Sequence, residues 1–312
     1  MSNQVVPQYY DSFGVSPYHA AGVTGVGVVI YVVDTGLEAV TPNVDNVIVE
    51  DFASPVSNEL HGTYTSELID GHVRLAGVSY GSQVYLGAVD MSDGTITDGA
   101  LSRAILSATA KNVDILSISL GTTSDVPDVR SAIAGAVAAG ILVFVAAGNS
   151  GTSDYEYPAS YDGVISVASC TADRQRSSFT TFNDKVAVFA PGENWPLPDN
   201  TGTIQLLDGT SFSCPFTAGL AGLILSKQRI ATGNTTFRYN RADMLTILLD
   251  SNHLGPQAAL FGVPFPPATT ISVIDFSSSQ WILIAIIIGA LLIFTAVYYY
   301  SFSKPHHKTL HK

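Results

Sequence analysis

The sequence contains few cysteines and few cationic side chains. Its two cysteines, Cys170 and Cys214, allow one bridge but no disulfide framework, and free buried thiols are the simpler interpretation. Only 14 Lys and Arg residues stand against 26 Asp and Glu residues, which gives a net charge of −12 over 312 residues. Because binding to phosphate requires a basic surface, this balance argues against nucleic acid as a partner.

The amino terminus also lacks the features of a secretory signal, since residues 1–7 contain neither a basic region nor an apolar stretch. The carboxyl-terminal region is different. Residues 281–300 carry no charge, and a helix of this length spans about 30 Å, the thickness of the hydrocarbon core of a bilayer. Trp281 lies at one end and Tyr298–Tyr300 at the other, where aromatic belts are expected. The pattern predicts one transmembrane helix, because a buried core helix is rarely apolar on every face.

Composition predicts four parts of the chain. Residues 1–263 form a large domain, residues 264–280 are a stalk rich in Pro and Ser, residues 281–300 are the transmembrane helix, and residues 301–312 are a short basic tail. By the positive-inside rule, the tail lies in the cytoplasm and the large domain of this single-pass membrane protein lies outside it. Without a signal peptide, the alternative is a tail-anchored protein whose large domain lies in the cytosol. In both topologies the lipid bilayer is a partner of residues 281–300.

Within the large domain, runs of β-branched residues alternate with stretches of helical spacing. The predicted strands are 27–33, 83–89, 114–119, 141–145, 164–168 and 186–189. The predicted helices are 98–111, 126–139, 210–227 and 241–249. Because this alternation favours parallel pairing, we expect an α/β fold, a three-layer sandwich with a mainly parallel sheet flanked by helices. Functional groups are then expected at the carboxyl ends of the strands.

Four short motifs carry groups that suit nucleophilic catalysis. They contain Asp34 in Val-Val-Asp-Thr-Gly, His61 in His-Gly-Thr, Asn149 in Ala-Ala-Gly-Asn-Ser-Gly, and Ser211 in Gly-Thr-Ser-Phe-Ser-Cys-Pro. A serine hydroxyl needs a base within reach, and the base needs an orienting partner. In this interpretation Ser211 attacks, His61 transfers the proton and Asp34 orients His61. The Asn149 amide and the Ser211 N–H would donate to the oxyanion.

Each motif also has a simpler interpretation. Ser211 could be a helix N-cap, and Asp34 with Gly36 could form a turn at a strand end. Asn149 could belong to an Asn-Ser-Gly turn, and a single histidine such as His61 is usually structural or solvated. The catalytic interpretation is favoured because all four motifs occur together, in one order, after apolar runs.

The order Asp, His, Asn, Ser and the residues around each position resemble the subtilisin-like serine proteases. Further segments resemble landmarks of that family in the expected order. These are Ser119-Leu120-Gly121, Tyr157-Pro158-Ala159, Arg176-Ser177-Ser178-Phe179 and Ala190-Pro191-Gly192. The resemblance covers about residues 8–250. It implies an endopeptidase that cleaves protein or peptide substrates through an acyl-enzyme at Ser211, without a cofactor.

The resemblance also implies substrate-binding residues. The substrate backbone is expected to pair with Ser119-Leu120-Gly121, and the P1 side chain (that of the residue contributing the scissile carbonyl) is expected between that segment and Ala146-Ala147-Gly148. Glu156 precedes the Tyr-Pro motif, where many relatives have a small residue on the floor of the P1 pocket. A carboxylate there is costly unless paired, so we expect a basic P1 residue. The alternative is that Glu156 points to solvent and that the enzyme accepts a broad range of apolar residues at P1.

Several positions depart from the family pattern. Tyr64 stands where a second histidine is frequent, Phe212 follows the serine where Met is frequent, and Cys214 replaces a serine. The stretch between His61 and Ala76 is short and lacks the oxygen ligands of a calcium loop, so no metal is predicted. Two other functions would require different sequence features. A catalytically silent binding module would lack one triad residue, and a different serine hydrolase would need a Gly-x-Ser-x-Gly elbow.

Overall fold

A computed structural model describes residues 7–37, 46–53, 60–72, 75–91, 94–199, 201–249 and 254–256. The predicted stalk, transmembrane segment and basic tail lie outside the described residues. Within the described part of the chain, no helix has both the length and the apolar character needed to cross a membrane.

Strands and helices alternate along most of the described chain. The strands are β1 (Val29–Asp34), β2 (Ile48–Asp51), β3 (Gln83–Ala88), β4 (Ile115–Ile118), β5 (Leu142–Ala146), β6 (Ile165–Cys170), β7 (Val186–Pro191), β8 (Trp195–Pro198), β9 (Ile204–Leu207) and β10 (Gly255–Pro256). The helices are α1 (Tyr9–Ser12), α2 (Ser16–Ala20), α3 (Leu60–Asp70), α4 (Asp98–Ala110), α5 (Pro127–Ala138), α6 (Thr210–Thr232) and α7 (Arg241–Leu248).

One large sheet contains eight of these strands in the order β10-β7-β6-β5-β4-β1-β3-β2. Its pairs are parallel except for β10 with β7, and β8 and β9 form a separate antiparallel pair. Sequence-adjacent strands β1 and β2 are not neighbours, because β3 lies between them. The strand order therefore reverses beside β1, and ligands bind at such switch points in open α/β sheets. The predicted mainly parallel sheet is confirmed.

Helices cover both faces of the sheet. On β1, Ile30 and Val32 pack in a core with residues of α3 and α6. The alternate residues Tyr31 and Val33 pack in a second core with residues of α4 and α5. A strand buried on both faces is expected to be apolar, as β1 is up to its last residue, Asp34. The three layers expected from the sequence are thus present.

The sequence did not predict α3, the helix that carries His61. Every residue from Gly62 to Asp70 is buried. A helix buried on all sides has no polar face, so the alternation of apolar and polar positions that reveals a surface helix is missing. The predicted helix at 210–227 is present as α6 but extends to Thr232.

A buried ion pair fixes the carboxyl-terminal end of α6 beneath the sheet. The Arg229 guanidinium binds both carboxylate oxygens of Asp114, at 2.9 Å from Nη1 to Oδ2 and 2.6 Å from Nη2 to Oδ1. The side chains are only 7% and 6% exposed. Asp114 also accepts from the Val29 N–H at 3.0 Å, and Arg238 Nε lies 3.3 Å from it. Because α6 is one continuous helix of 23 residues, this anchor helps to position its amino-terminal end, where Ser211 lies.

Candidate active site

The predicted site residues converge at the carboxyl edge of the sheet. Asp34 is the last residue of β1, Ser119 follows β4 directly, and Asn149 lies three residues after β5. These three strands are consecutive in the sheet. Ser211 is the second residue of α6 and His61 the second residue of α3. The sheet and two helix ends therefore bring the four motifs together.

Asp34 and His61 form a short contact, with 2.6 Å between Asp34 Oδ1 and His61 Nδ1. The Asp34 side chain is fully buried, whereas that of His61 is 32% exposed. Oδ1 also accepts from the Thr35 N–H at 2.7 Å, and Oδ2 accepts from the Thr65 hydroxyl at 3.0 Å. With its Nδ1 proton held by the carboxylate, a neutral imidazole carries its basic lone pair on Nε2. This is the tautomer that a general base requires.

Gly62 lets α3 approach the end of β1. A methyl group in place of its hydrogen would lie 2.1 Å from the Thr35 carbonyl oxygen, a distance that atoms cannot adopt. The Gly62 N–H donates to the Thr35 hydroxyl at 2.7 Å. This close approach of α3 to the end of β1 brings His61 within reach of Asp34.

The turn before α6 places the residue after Ser211 beside His61. Gly209 is the N-cap residue, with φ +156° and ψ +151°, a conformation largely restricted to glycine. Ser211 is thus not the N-cap of its helix. The rings of His61 and Phe212, the residue after Ser211, lie 6.1 Å apart between centroids. The Ser211 hydroxyl donates a long hydrogen bond of 3.5 Å to the Ser119 carbonyl.

Asn149 is held through its amide oxygen. Oδ1 accepts from the Thr210 N–H at 2.9 Å and from the Thr210 hydroxyl at 3.0 Å. A methyl group on Gly209 would lie 3.7 Å from Asn149 Nδ2 and 3.7 Å from the Ser211 nitrogen. The side-chain amide and the main-chain N–H therefore border the same small space. Two donors arranged in this way suit an oxyanion.

Comparison with known proteins agrees with this geometry. A sequence profile of the Subtilase family matches residues 25–259. The chain belongs to the subtilase family. Subtilisin DY from Bacillus licheniformis is 33% identical over 235 residues, which cover 72% of this chain and 86% of that protein. The major intracellular serine protease of Bacillus subtilis (strain 168) is 33% identical over 228 residues, which cover 66% of this chain and 71% of that protein.

Solved structures show the same fold at lower identity. The prenylagaramide maturation protease PagA superposes with a TM-score of 0.66 at 22% identity, covering 76% of this chain and 87% of that chain. The self-cleaved protease domain of PatA gives a TM-score of 0.65 at 22% identity, covering 73% and 89%. The chain has the α/β fold of the subtilases and is a serine endopeptidase of the subtilisin type.

The expected substrate-binding segments of this subtilase have different surroundings. Leu120 is half-buried against the core formed with α4 and α5, and Gly121 is exposed. Ala146 and Ala147 point into the core on the other face. Beside Gly121, the main chains of Thr122 and Tyr157 exchange hydrogen bonds of 2.8 Å.

Gly148 and Glu156 are in contact. Gly148 has φ +107°, and a methyl group on it would overlap the Glu156 carboxylate, at 2.2 Å from Oε1 and 2.3 Å from Oε2. The side chain of Glu156 is half-buried, and its Oε1 accepts from the buried Thr181 hydroxyl at 2.9 Å. The carboxylate therefore lies against the segment that was expected to border the P1 side chain.

The structure adds three threonines that sequence reasoning missed. Thr65 binds Asp34, Thr210 holds Asn149, and Thr181 binds Glu156. Thr65 lies four residues after His61, so a predicted α3 would have placed both on one face. Thr181 carries no local signal, because its contact with Glu156 depends on how distant segments pack.

Both cysteines are buried free thiols, as the simpler interpretation predicted. Burial raises the pKa of Cys214 to about 12 and also raises the pKa of Cys170. Cys214 Sγ lies 3.6 Å from the Ile118 carbonyl oxygen and 3.5 Å from the Ser117 hydroxyl. A thiol that stays protonated is a poor nucleophile, so Cys214 is unsuited to the nucleophilic role that Ser211 is expected to take. Among the described residues, no group of three or more His, Cys, Asp or Glu side chains could hold a metal ion.

Proposed function

We propose that this subtilase hydrolyses peptide bonds through an acyl-enzyme at Ser211, with His61 as base and acid and Asp34 as its orienting partner. The observation that supports this most directly is the 2.6 Å contact between the buried Asp34 carboxylate and His61 Nδ1. Two further donors, Thr35 N–H and the Thr65 hydroxyl, fix the carboxylate. Such a carboxylate stabilises the imidazolium that forms during the reaction.

The reaction proceeds in two halves. His61 Nε2 takes the Ser211 hydroxyl proton as Oγ bonds to the substrate carbonyl carbon, and the carbonyl oxygen becomes an oxyanion between Asn149 Nδ2 and the Ser211 N–H. The intermediate collapses, the C–N bond breaks, and His61 gives its proton to the leaving amine. Water then repeats the sequence on the acyl-enzyme, with His61 again as base, and releases the acid and free Ser211.

Active-site labelling tests the nucleophile. A fluorophosphonate probe forms a P–O bond to an activated serine and loses fluoride. We expect the purified chain to be labelled, Ser211→Ala to be unlabelled, and Ser131→Ala to be labelled like the wild type, because Ser131 lies exposed on α5. Labelling that persists in Ser211→Ala would point to another nucleophile. An unlabelled wild type would favour the catalytically silent binding module.

Non-additivity tests the triad as a unit. Ser211→Ala, His61→Ala and Asp34→Ala should each lower kcat by several orders of magnitude, and pairs of these substitutions should cost little more than the stronger single one. Independent, additive losses would contradict a shared step.

We also propose that residues 281–300 anchor the protease in a lipid bilayer. The support is in the sequence, where an uncharged stretch of membrane-spanning length has aromatic residues at both ends. We expect the full chain to sediment with membranes and resist extraction by alkaline carbonate. A chain that ends before Ser277 should be soluble and should retain its kcat/KM. A full chain recovered in the supernatant would overturn the anchor.

The proposed topology places the catalytic domain outside the cytoplasm. Lys304, Lys308 and Lys312 follow the apolar stretch, and cytoplasmic flanks are enriched in such residues. Protease added to intact cells should then digest the catalytic domain and spare a tag at the carboxyl terminus. Digestion of the domain only after the membrane is opened would instead support the tail-anchored, cytosolic alternative.

A further inference from the structure

Glu156 places a carboxylate between two glycines beside the proposed oxyanion site. A methyl group on Gly148 would coincide with this carboxylate, and one on Gly121 would lie 3.5 Å from Oε2. Neither glycine has a side chain, and the carboxylate lies in the slot that this leaves between the segments that contain them. Gly148 is the residue before Asn149, so the carboxylate lies next to the residue proposed as an oxyanion donor.

The two carboxylate oxygens differ in their surroundings. Oε1 accepts the Thr181 hydroxyl at 2.9 Å, and Thr181 is fully buried, which fixes the orientation of the group. Oε2 is the oxygen that faces Gly121. A planar carboxylate held through one oxygen presents the other in a defined direction. Oε2 is therefore available to a group that enters the slot.

The negative charge has no cationic partner in the part of the chain that the structure describes. None of the ion pairs there includes Glu156. The cationic side chains on either side of Thr181 in the sequence are engaged elsewhere, since Lys185 pairs with Asp162 at 3.1 Å and Arg176 lies over the Phe182 ring at 4.0 Å. A half-buried carboxylate is stabilised by a charged hydrogen-bond donor more than by water alone.

We propose that Glu156 makes this protease select Lys or Arg at P1. The proposal rests on the proposed function, because it requires the scissile carbonyl to lie between Asn149 and Ser211. From that position a P1 side chain passing between Gly121 and Gly148 reaches Glu156. Lys and Arg have the length and the charge to bind Oε2, whereas an apolar P1 side chain leaves the carboxylate desolvated and unpaired.

Four fluorogenic peptides that differ only at P1 (Lys, Arg, Leu or Phe) test the proposal. For the wild type, we expect kcat/KM for Lys and Arg to exceed that for Leu and Phe. Glu156→Gln retains the shape and an acceptor for Thr181 but removes the charge. It should lower kcat/KM for the basic peptides by about 10–100-fold and change the apolar ones by less than about threefold. The matched control is Asp154→Asn, which removes an exposed charge from the same loop and should leave the order unchanged.

The outcomes separate the two proposals. If the wild type is labelled by the fluorophosphonate and cleaves Leu or Phe peptides faster than basic ones, the selectivity proposal is wrong and the catalytic one stands. The same holds if Glu156→Gln folds, labels normally and leaves the P1 order intact. A wild type that neither labels nor cleaves any of the four peptides would overturn the proposed function, and the selectivity with it. The order of kcat/KM among the four peptides in the wild type is decisive by itself, so the proposal can be rejected even if Glu156→Gln fails to fold.

Discussion

The Ser119 hydroxyl donates a hydrogen bond of 2.9 Å to the main-chain carbonyl oxygen of Ser211. In a regular helix this carbonyl would accept from the N–H four residues later, which here belongs to Pro215. Proline has no N–H, and Pro215 lies inside α6, beyond its first turn. The side chain that follows β4 therefore replaces the missing helical donor and links the main chain of Ser211, the proposed nucleophile, to the sheet.

Ser119→Ala should consequently weaken both stability and catalysis. It leaves a half-buried carbonyl without its donor, which costs about 1–3 kcal/mol of unfolding free energy. We expect kcat to fall more than KM rises, because the main chain of Ser211 loses its hydrogen bond from the Ser119 hydroxyl. Urea denaturation and steady-state kinetics measure the two effects.

Pro215→Ala provides the control for this relationship. It restores an N–H that can reach the Ser211 carbonyl, so Ser119→Ala should cost less in that background than in the wild type. Equal costs in the two backgrounds would mean that Ser119 does not replace the helical donor.

Gly62→Ala should displace α3 and reduce activity. The added methyl group would lie 2.1 Å from the Thr35 carbonyl oxygen, which is main chain and cannot move aside cheaply. We expect a loss of stability and a lower kcat, because His61 moves away from Asp34. The matched control is Gly135→Ala in α5, where nothing lies within 4 Å. That substitution should stabilise the protein by about 0.5–1 kcal/mol without changing kcat, and equal effects of the two alanines would contradict the steric argument.

The parts of the site that could be predicted from sequence are those with local causes. β1 is a run of apolar residues that ends at Asp34, so the position of the carboxylate at a strand end follows from the pattern and from the parallel sheet. Gly140 follows α5 with φ +78°, as expected of a glycine that closes a helix. In both cases neighbouring residues determine the conformation.

The remaining features depend on packing between distant segments. α3 was missed because it is buried on all sides, and the role of Ser119 was missed because it follows from a proline 96 positions further along the chain. The sequence left open whether Glu156 faces solvent. Its contact with Gly148 depends on how two loops meet, which no periodicity encodes.

Arg229→Met should destabilise the protein strongly. It leaves the buried Asp114 carboxylate without its bidentate partner, and removal of one member of a buried ion pair costs about 3–5 kcal/mol. The comparison is Arg130→Met, whose partner Asp125 is 40% exposed and which should cost less than about 1 kcal/mol. Chemical denaturation of both variants measures the difference. If Arg229→Met lowered the unfolding free energy only slightly, the Arg238 guanidinium, whose Nε lies 3.3 Å from Asp114 Oδ1, would have to compensate for the lost partner.

The buried thiols should make stability fall in mildly alkaline solution. The pKa values of Cys170 and Cys214 are raised in the folded state, so the unfolded chain loses these protons first, near its ordinary thiol pKa of about 8.5. Their stabilising contribution is complete below that pH. It is lost as the pH rises towards the folded pKa values, at up to about 1.4 kcal/mol per pH unit for each thiol.

Urea denaturation between pH 7 and pH 9.5 tests this dependence. The wild type should lose unfolding free energy more steeply than the double variant Cys170→Ala, Cys214→Ala. The two slopes should agree below pH 8. Parallel slopes over the whole range would show that the thiols do not contribute.

Asn149→Ala should lower kcat with little change in KM, because its amide is expected to bind the oxyanion and not the ground-state substrate. We expect a fall of about 10²–10³-fold, the range that loss of an oxyanion donor costs in subtilisin itself. Thr210→Val provides a graded comparison. It removes the hydroxyl donor to Asn149 Oδ1, at 3.0 Å, but keeps the Thr210 N–H that binds the same oxygen at 2.9 Å. Asn149 Oδ1 then keeps one of its two hydrogen bonds from Thr210, so the amide stays partly oriented and kcat should fall by only about tenfold. If Thr210→Val were as inactive as Asn149→Ala, the hydroxyl would have to act on the reaction directly, and if Asn149→Ala kept full activity, the oxyanion would have to bind elsewhere.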